Sequence, residues 1–463
     1  MRTLLIFPRM PDEVAVYGEW WVTSAIRRAI GLGKSNTMPP MSLLAIAAVT
    51  PTDVDIRIVD ERFDEVDYDE PVDVVGITVT TSVAPRAYSI ADEFHRRGVP
   101  VVLGGIHPTV LPDEAIQHAD AVVLGEGDLT WPDLLTDVRA KRLQRFYRAE
   151  RPAPLDDLPP LPRDLVQVER YFTPKTIVAT RGCANACVFC SAGSAVGRRF
   201  RTRAVESVVA ELQSLPGKLA FFADDNLGYD VDYAKALFRA LIPLKIRWIG
   251  EISLPAVEDQ ELVELAAESG CIGLGLGFES ISPETIALIG KKRTNDPARY
   301  RSLIQRMHRC GLAVLGFFLL GFDTDTKQTF AELGDFINDS GVDIPSVNTL
   351  TPYPGTVVAR QLEKAGRIVH RDWERYGING SFAYRPLQMS AEEMRDEYLE
   401  LCAKVYSWRA IASRLWRSRL LSPGVPYTLH LNAQRRRTLP GERALLLADS
   451  ASAPTPPEPA ETA

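Results

Sequence analysis

Cys183, Cys187 and Cys190 stand in a C-x-x-x-C-x-x-C spacing within Thr180-Arg-Gly-Cys-Ala-Asn-Ala-Cys-Val-Phe-Cys190. A short β-branched run at 176–179 precedes them and reads as a strand, ended by Gly182. Three thiolates on one tight loop suit three corners of an iron–sulfur cube, because cluster irons take soft thiolate ligands at short spacing. A full protein set is four, so three leave one iron open to a ligand that is not protein. Structural zinc wants a fourth protein ligand close by, and the next cysteine and histidine in the chain are Cys271 and His308. A disulfide does not account for three clustered thiols either.

Carboxylates and glycines recur downstream where apolar runs end. The runs at 176–179, 219–223, 246–252, 272–278, 312–320 and 345–350 read as strands. Helical patterns lie at 204–215, 231–242, 258–269, 283–289, 297–310 and 327–339. Six strand–helix units make a partial (β/α)6 barrel, a TIM-like half-open form whose chemistry sits at the carboxyl ends of its strands. Those ends hold Asp224 and Asp225, Glu251 and Ser253, Glu279, and Gly321, followed after the sixth strand by Tyr353 in Thr351-Pro-Tyr-Pro-Gly-Thr356.

The first third has a different rhythm. Apolar strands at 3–7, 55–59, 73–80, 100–103 and 121–124 alternate with helical patterns at 41–49, 84–97 and 130–141. This predicts a doubly wound, Rossmann-like parallel sheet, which binds ligands at the carboxyl ends of its strands. Three strand-end loops carry small and polar residues: Thr80, Thr81 and Ser82; Gly104, Gly105, His107, Pro108 and Thr109; and Gly125, Glu126 and Gly127. Any parallel sheet needs small polar residues there, so the loops alone admit a structural reading as well as a binding one.

At the cysteine stretch, with Phe189 before the third thiol, the chain resembles the radical S-adenosylmethionine (SAM) superfamily. The order of the three N-terminal loops ahead of that stretch is similar to the cobalamin-dependent radical SAM enzymes. The resemblance implies a four-iron four-sulfur cluster on Cys183, Cys187 and Cys190. Its open iron would chelate SAM, and an electron would release a 5′-deoxyadenosyl radical that takes hydrogen from a substrate. It places Phe189, the pair Asp224 and Asp225, Glu251, Ser253, Glu279 and Gly321 around SAM, and the three N-terminal loops around cobalamin. Gly321 would let the adenine lie against the backbone, and Tyr353 would face the substrate or plug the barrel mouth. Asp224 and Asp225 also read as a helix N-cap for 231–242. Glu279 reads equally as the ion-pair partner of Lys292 or Arg293. The D-x-H-x-x-G cobalt-ligand motif is absent after the first strand, leaving the lower axial position to His107, another side chain, water or nothing.

These readings divide the chain into 1–147 (cobalamin-binding), 148–170 (a proline-rich, extended linker), 171–357 (radical SAM barrel), 358–448 (a mostly helical substrate-shaping region) and 449–463 (a disordered tail). Residues 358–415 read as helical, 391–408 most clearly, with Ser390 and Glu393 as a capping box. Arg409, Arg414, Arg417, Arg419 and Arg435 to Arg437 read as a solvated basic face, or as a dock for an anionic substrate or redox protein. Cys271, Cys310 and Cys402 sit singly among apolar residues and read as core packing, with a substrate thiyl or methyl carrier as the alternative.

The chain has 463 residues, a net charge of −7 and six cysteines. No global basic field invites nucleic acid, and the cysteine usage points to a reducing cytoplasm rather than a disulfide framework. The longest apolar stretch is too short for a membrane span, and the N-terminus does not read as a signal peptide. The expected activity is methylation of an unactivated carbon, or less often phosphorus, of a natural-product or lipid precursor. The expected partners are a small-molecule substrate and an external electron donor such as flavodoxin or ferredoxin. A rearrangement, cyclisation or ring contraction is the other enzyme reading. A cobalamin or iron–sulfur sensor would need an output module, and the sequence shows none.

Overall fold

The computed structural model describes residues 1–10, 35, 37–195, 197–417 and 425–452. Its first six strands are β1 (Arg2–Phe7), β2 (Asp55–Asp60), β3 (Val74–Thr78), β4 (Val101–Gly104), β5 (Ala121–Leu124) and β6 (Phe146–Arg148). They form one parallel sheet in the order β2-β1-β3-β4-β5-β6. The strands are continuous apolar runs because both faces are covered. On one face the helix Ala84–Arg96 buries Ala87, Ile90, Ala91 and Phe94; on the other, Leu43, Trp131 and Leu134 pack beneath Leu5 and Val102. The chain leaves β1 for β2 at one edge and returns to β3 on the far side of β1. A crevice opens where the direction of winding reverses.

Between β6 and the first strand of the second sheet the linker holds three 3₁₀ turns, at Leu155–Asp157, Arg163–Leu165 and Val168–Arg170. Next come β7 (Lys175–Ile177), β8 (Thr180–Arg181), β9 (Arg201–Thr202), β10 (Leu219–Phe222), β11 (Arg247–Ile252), β12 (Cys271–Glu279), β13 (Ala313–Leu320) and β14 (Ile344–Thr349). Six of these pair in parallel in the order β14-β13-β12-β11-β10-β7, each crossover advancing one strand, as an open (β/α)6 barrel requires. β8 and β9 form a separate antiparallel pair. The barrel core runs from Ile177 and Trp248 through Phe278 and Phe318 to the C-terminal helix Ala391–Val405. Among the described residues no helix is long and apolar enough to cross a membrane.

Several expectations change. β6 pairs with β5 at 146–148, across the expected end of the first domain. The helix expected at 258–269 is present as Gln260–Glu268, and a short helix not expected, Leu254–Val257, precedes it. The region 358–415 is not continuously helical: between the helices Val357–Lys364 and Ala391–Val405 lie a 3₁₀ turn at Trp373–Arg375 and an isolated bridge from Ile368 to Tyr384. The capping box at Ser390 is present, with Glu393 N donating to Ser390 Oγ at 3.1 Å and Ser390 N to Glu393 Oε2 at 2.9 Å. The basic C-terminus is no solvated face throughout. Arg414 is buried and donates to Asn338, Val405 O and Asn432, while Arg435 reaches Glu442 at 2.7 Å. Arg419 lies outside the described residues. Of the expected disordered tail, 449–452 continue the helix Val425–Ser452 and the rest lies outside them. Cys271 and Cys402 are buried as core residues, and Cys310 is half-buried.

Candidate cofactor sites at facing strand ends

The cysteine loop is tied down at both ends. At its base β8 pairs with β9, Thr180 opposite Thr202. The Asp224 carboxylate accepts from Ala179 N at 3.0 Å, from Thr180 N and from Thr180 Oγ1 at 2.7 Å, which fixes the chain three residues before Cys183. Gly182 has φ +85°, and a Cβ there would meet Arg199 O at 2.5 Å, so a side chain is excluded by both conformation and space. Further on, Val188 N donates to Ile289 O at 3.3 Å and Val188 O accepts from Val358 N at 3.1 Å. Phe189 leans on Phe322, ring centroids 6.1 Å apart. The sulfur of Cys190 accepts from the backbone N–H groups of Ala192 and Gly193, which favour thiolate, although burial pushes the thiol up on balance. Burial likewise pushes the Cys187 thiol up to about 11, and the neighbouring Cys183 and Cys190 add to it. Among the described residues no three such side chains close on the point a single ion would occupy. Three neighbouring thiols with backbone donors suit three corners of an iron–sulfur cube.

Three carboxylates stand at the ends of β10, β11 and β12, Asp225, Glu251 and Glu279, and the first and last both act on Glu251. The adjacent aspartates part company. Asp224 is 3% exposed and spent on the backbone below the cysteine loop, whereas Asp225 is exposed. Neither caps the helix Val231–Leu241; Asp230 does, accepting from Tyr233 N at 3.0 Å. Glu251 packs over Gly275, where a Cβ would come within 2.9 Å of its Cγ, which accounts for a glycine in mid-strand. Burial, with Asp225 and Glu279 nearby, pushes its carboxyl up to about 7. Ser253 N donates to Asn226 Oδ1 at 2.9 Å, bridging the ends of β10 and β11. Asn226, which sequence reasoning missed, is buried with no partner for its Nδ2 among the described residues. Glu279 does form an ion pair, but with Lys291 at 2.7 Å and not with Lys292 or Arg293.

Two more of the expected residues stand at the barrel mouth. Gly321 has φ +109°, but its open side meets Tyr384, whose hydroxyl would sit 2.5 Å from a Cβ and donates to Gly321 O. Tyr384 therefore packs on the face of Gly321 where a side chain would stand. Tyr353 packs edge-on against Tyr376, ring centroids 6.2 Å apart, with its hydroxyl over Gly377. The 3₁₀ segment around Trp373 therefore covers it, as an aromatic plug would be covered.

The crevice of the first sheet is a mostly apolar cavity of about 460 Å³. Thr80, Gly104, Gly105, Thr109, Gly125, Glu126 and Gly127 line it as expected. Thr81, Ser82, His107 and Pro108 do not. His107 is fully buried, with Nε2 3.0 Å from Glu114 Oε1, Nδ1 3.4 Å from Thr81 Oγ1 and its ring edge-on to Trp373. Both ring nitrogens face protein partners, so His107 is not placed to ligate cobalt. Glu126 turns its carboxylate to Arg201.

The lining also includes Ser42, Gly76 and Trp131, and, from the linker, Leu155, Leu158, Pro159, Pro160 and Leu161. The linker is thus a wall of the site and more than a connector. The leucines between its prolines were the available signal. A Cβ on Gly76 would meet Leu5 at 2.8 Å and Trp131 at 3.2 Å, and one on Gly127 would meet Ile46 at 2.8 Å. Small residues keep this space open, and an apolar cradle rimmed by backbone fits a large planar cofactor with an organic tail. Val178, Arg181 and Arg203 of the barrel close the far side.

Residues 177–337 match the Radical SAM superfamily and residues 33–135 the B12 binding domain. Among curated proteins the chain is similar to bacteriochlorophyllide d C-12(1)-methyltransferase of Chlorobaculum tepidum, 30% identical over 81% of this chain and 84% of the relative. It is also similar to bacteriochlorophyllide d C-8(2)-methyltransferase of the same organism, 32% identical over 86% of this chain and 94% of the relative. Among solved structures, the radical SAM methyltransferase TsrM from Kitasatospora setae, bound to cobalamin and a [4Fe-4S] cluster, superposes with a TM-score of 0.66. It covers 96% of this chain and 99% of its own at 16% identity, which speaks to the fold. Similarity that runs along nearly the whole length of two relatives, over a chain with these two facing sites, makes it a member of the cobalamin-dependent radical SAM enzymes, with a four-iron four-sulfur cluster, SAM and cobalamin as cofactors.

Proposed function

We propose that the protein methylates an unactivated carbon, or less often a phosphorus, of a natural-product or lipid precursor. The observation that carries this reading is the shared wall between the two sites. Arg181, two residues before Cys183, lines the cavity of the first sheet, so a methyl carrier there lies next to the loop that activates SAM. The names of the two relatives, both carbon methyltransferases, support it.

When bound, the cluster supplies the electron that cleaves SAM, and cobalamin supplies the methyl-carrying metal. The chain positions and excludes. Cys183, Cys187 and Cys190 would hold three irons. Asp225 is the aspartate free to accept from the SAM ammonium, while Asp224 holds the strand end rigid. Glu251 and Glu279 would take the ribose hydroxyls and, with Ser253, border the SAM carboxylate. The loops at Thr80, Gly104, Gly105, Thr109, Gly125 and Gly127 would hold cobalamin. Tyr353 and the segment around Trp373 shield the mouth from water. The setting is a reducing cytoplasm, with a one-electron donor such as flavodoxin or ferredoxin.

The test is anaerobic reconstitution with methyl-labelled SAM and candidate precursors, bacteriochlorophyllides among them. The expected product gains one CH2, with 5′-deoxyadenosine and S-adenosylhomocysteine in equal amounts. Turnover that yields 5′-deoxyadenosine with no gain in mass sinks methylation and leaves a rearrangement, cyclisation or ring contraction.

A further inference from the structure

The turn after the helix Pro283–Leu288 runs alongside the cysteine loop. Ile289 O accepts from Val188 N, and a Cβ on Gly290 would stand 3.2 Å from Ala186 O. The same turn delivers Lys291, whose side chain is 11% exposed. Its ammonium donates to Glu279 Oε1 at 2.7 Å and to Gly277 O at 3.4 Å. Glu279 has φ +63°, a left-handed conformation that is unfavourable for a residue with a Cβ. Burying both charges carries a desolvation cost as well. The fold thus maintains one positive charge, against two costs, where its field reaches Cys187 and Cys183. Among the described residues, Asp225 acts on Cys190 and Glu279 on Cys187 with the opposite sign.

We propose that Lys291 is the built-in counter-charge of the cluster site, a positioning residue held by Glu279 whose ammonium offsets that carboxylate and so keeps the reduction potential of the cube from falling. The step is simple in its balance. The oxidised cluster takes one electron from an external one-electron donor, no bond forms or breaks, and one negative charge is added beside a fixed positive one. The inference rests on the cluster alone and stands whether or not the enzyme transfers methyl groups.

The experiment is a potentiometric titration of the reconstituted, SAM-free holoenzyme, followed by electron paramagnetic resonance of the reduced cluster after iron and sulfide have been quantified. Lys291→Met removes the cation and should lower the reduced fraction at fixed potential about tenfold, about 59 mV for a one-electron couple. Glu279→Gln leaves the cation uncompensated and should shift the midpoint upward. The double variant restores local neutrality and should return towards wild type, and Lys291→Arg should stay there. A purely structural pair would not give opposite shifts that cancel. Midpoints of both single variants equal to wild type overturn the proposal, even where SAM affinity falls. Should Lys291→Met hold no iron, Glu279→Gln decides: an upward shift supports the counter-charge, and an unchanged or lowered midpoint overturns it.

Discussion

Arg181 donates to Asp128 with both ends of its guanidinium, Nη1 to Oδ2 at 2.9 Å and Nη2 to Oδ1 at 3.3 Å. Asp128 stands on the loop after β5, and Arg181 stands on β8, two residues before the first cluster cysteine. One fork thus joins the loop after β5 to the cysteine loop, with Glu126 at 3.6 Å as a further anion. Breaking a buried pair by removing one partner costs about 3 kcal/mol or more, because the other charge stays behind. Arg181→Met should therefore lower unfolding stability by about that amount and separate the transitions of the two sheets. Arg181→Met with Asp128→Asn should regain part of the loss. Urea denaturation checks this, and an unchanged single transition in Arg181→Met would contradict the bridging role.

The split between Asp224 and Asp225 predicts two distinct defects. Asp224 accepts three hydrogen bonds at the base of the cysteine loop, and burial pushes its carboxyl up to about 7 against them. Asp224→Ala leaves two buried N–H groups and a hydroxyl unsatisfied, at about 1–3 kcal/mol each, so it should lower stability and iron loading together. Asp225→Asn should keep both and weaken SAM binding, read by equilibrium dialysis. Equal SAM affinity in Asp225→Asn and wild type would remove Asp225 from the site.

His107 is held on both nitrogens by Thr81 and Glu114, with Glu114 also accepting from Tyr88 and Trp373 at 3.0 Å. A ring so engaged has no lone pair to offer the cavity. Labelling the histidines of the holoenzyme with ¹⁵N should leave the cob(II)alamin paramagnetic resonance spectrum unchanged. A changed nitrogen splitting would show that the ring leaves its partners to ligate cobalt.

The readable part of this protein is local, and the unreadable part is relational. The three cysteines, the alternating strands and helices and the Ser390 capping box each follow from residues within a few positions of one another. Which of two adjacent aspartates faces outward depends instead on where Ala179 and Thr180 lie across the sheet. Glu279 was expected to pair with Lys292 or Arg293, and choosing Lys291 needs the path of the turn beside the cysteine loop. Gly321 has the backbone freedom read from its type, yet Tyr384, 63 residues later, takes the space. The linker's leucines look like spacer residues until β1, β3 and the barrel edge stand around them.

Glu251 gives the fold a defined pH response. Its carboxyl, buried and faced by Asp225 and Glu279, titrates near 7 instead of in the ordinary range near 4.5. A raised carboxyl is one the folded state prefers protonated. Its contribution is therefore fully present below about 4.5 and is lost as pH rises through about 7. With each unit worth about 1.4 kcal/mol, the loss is at most about 3.5 kcal/mol. Glu251→Gln cannot ionise and keeps the neutral shape. The stability of the cofactor-free wild type should therefore fall relative to Glu251→Gln between pH 4.5 and 7 and run parallel to it above. Chemical denaturation of the two proteins across that range measures the difference directly. A constant difference would mean that the Glu251 carboxyl is hydrated and is not held protonated by the fold.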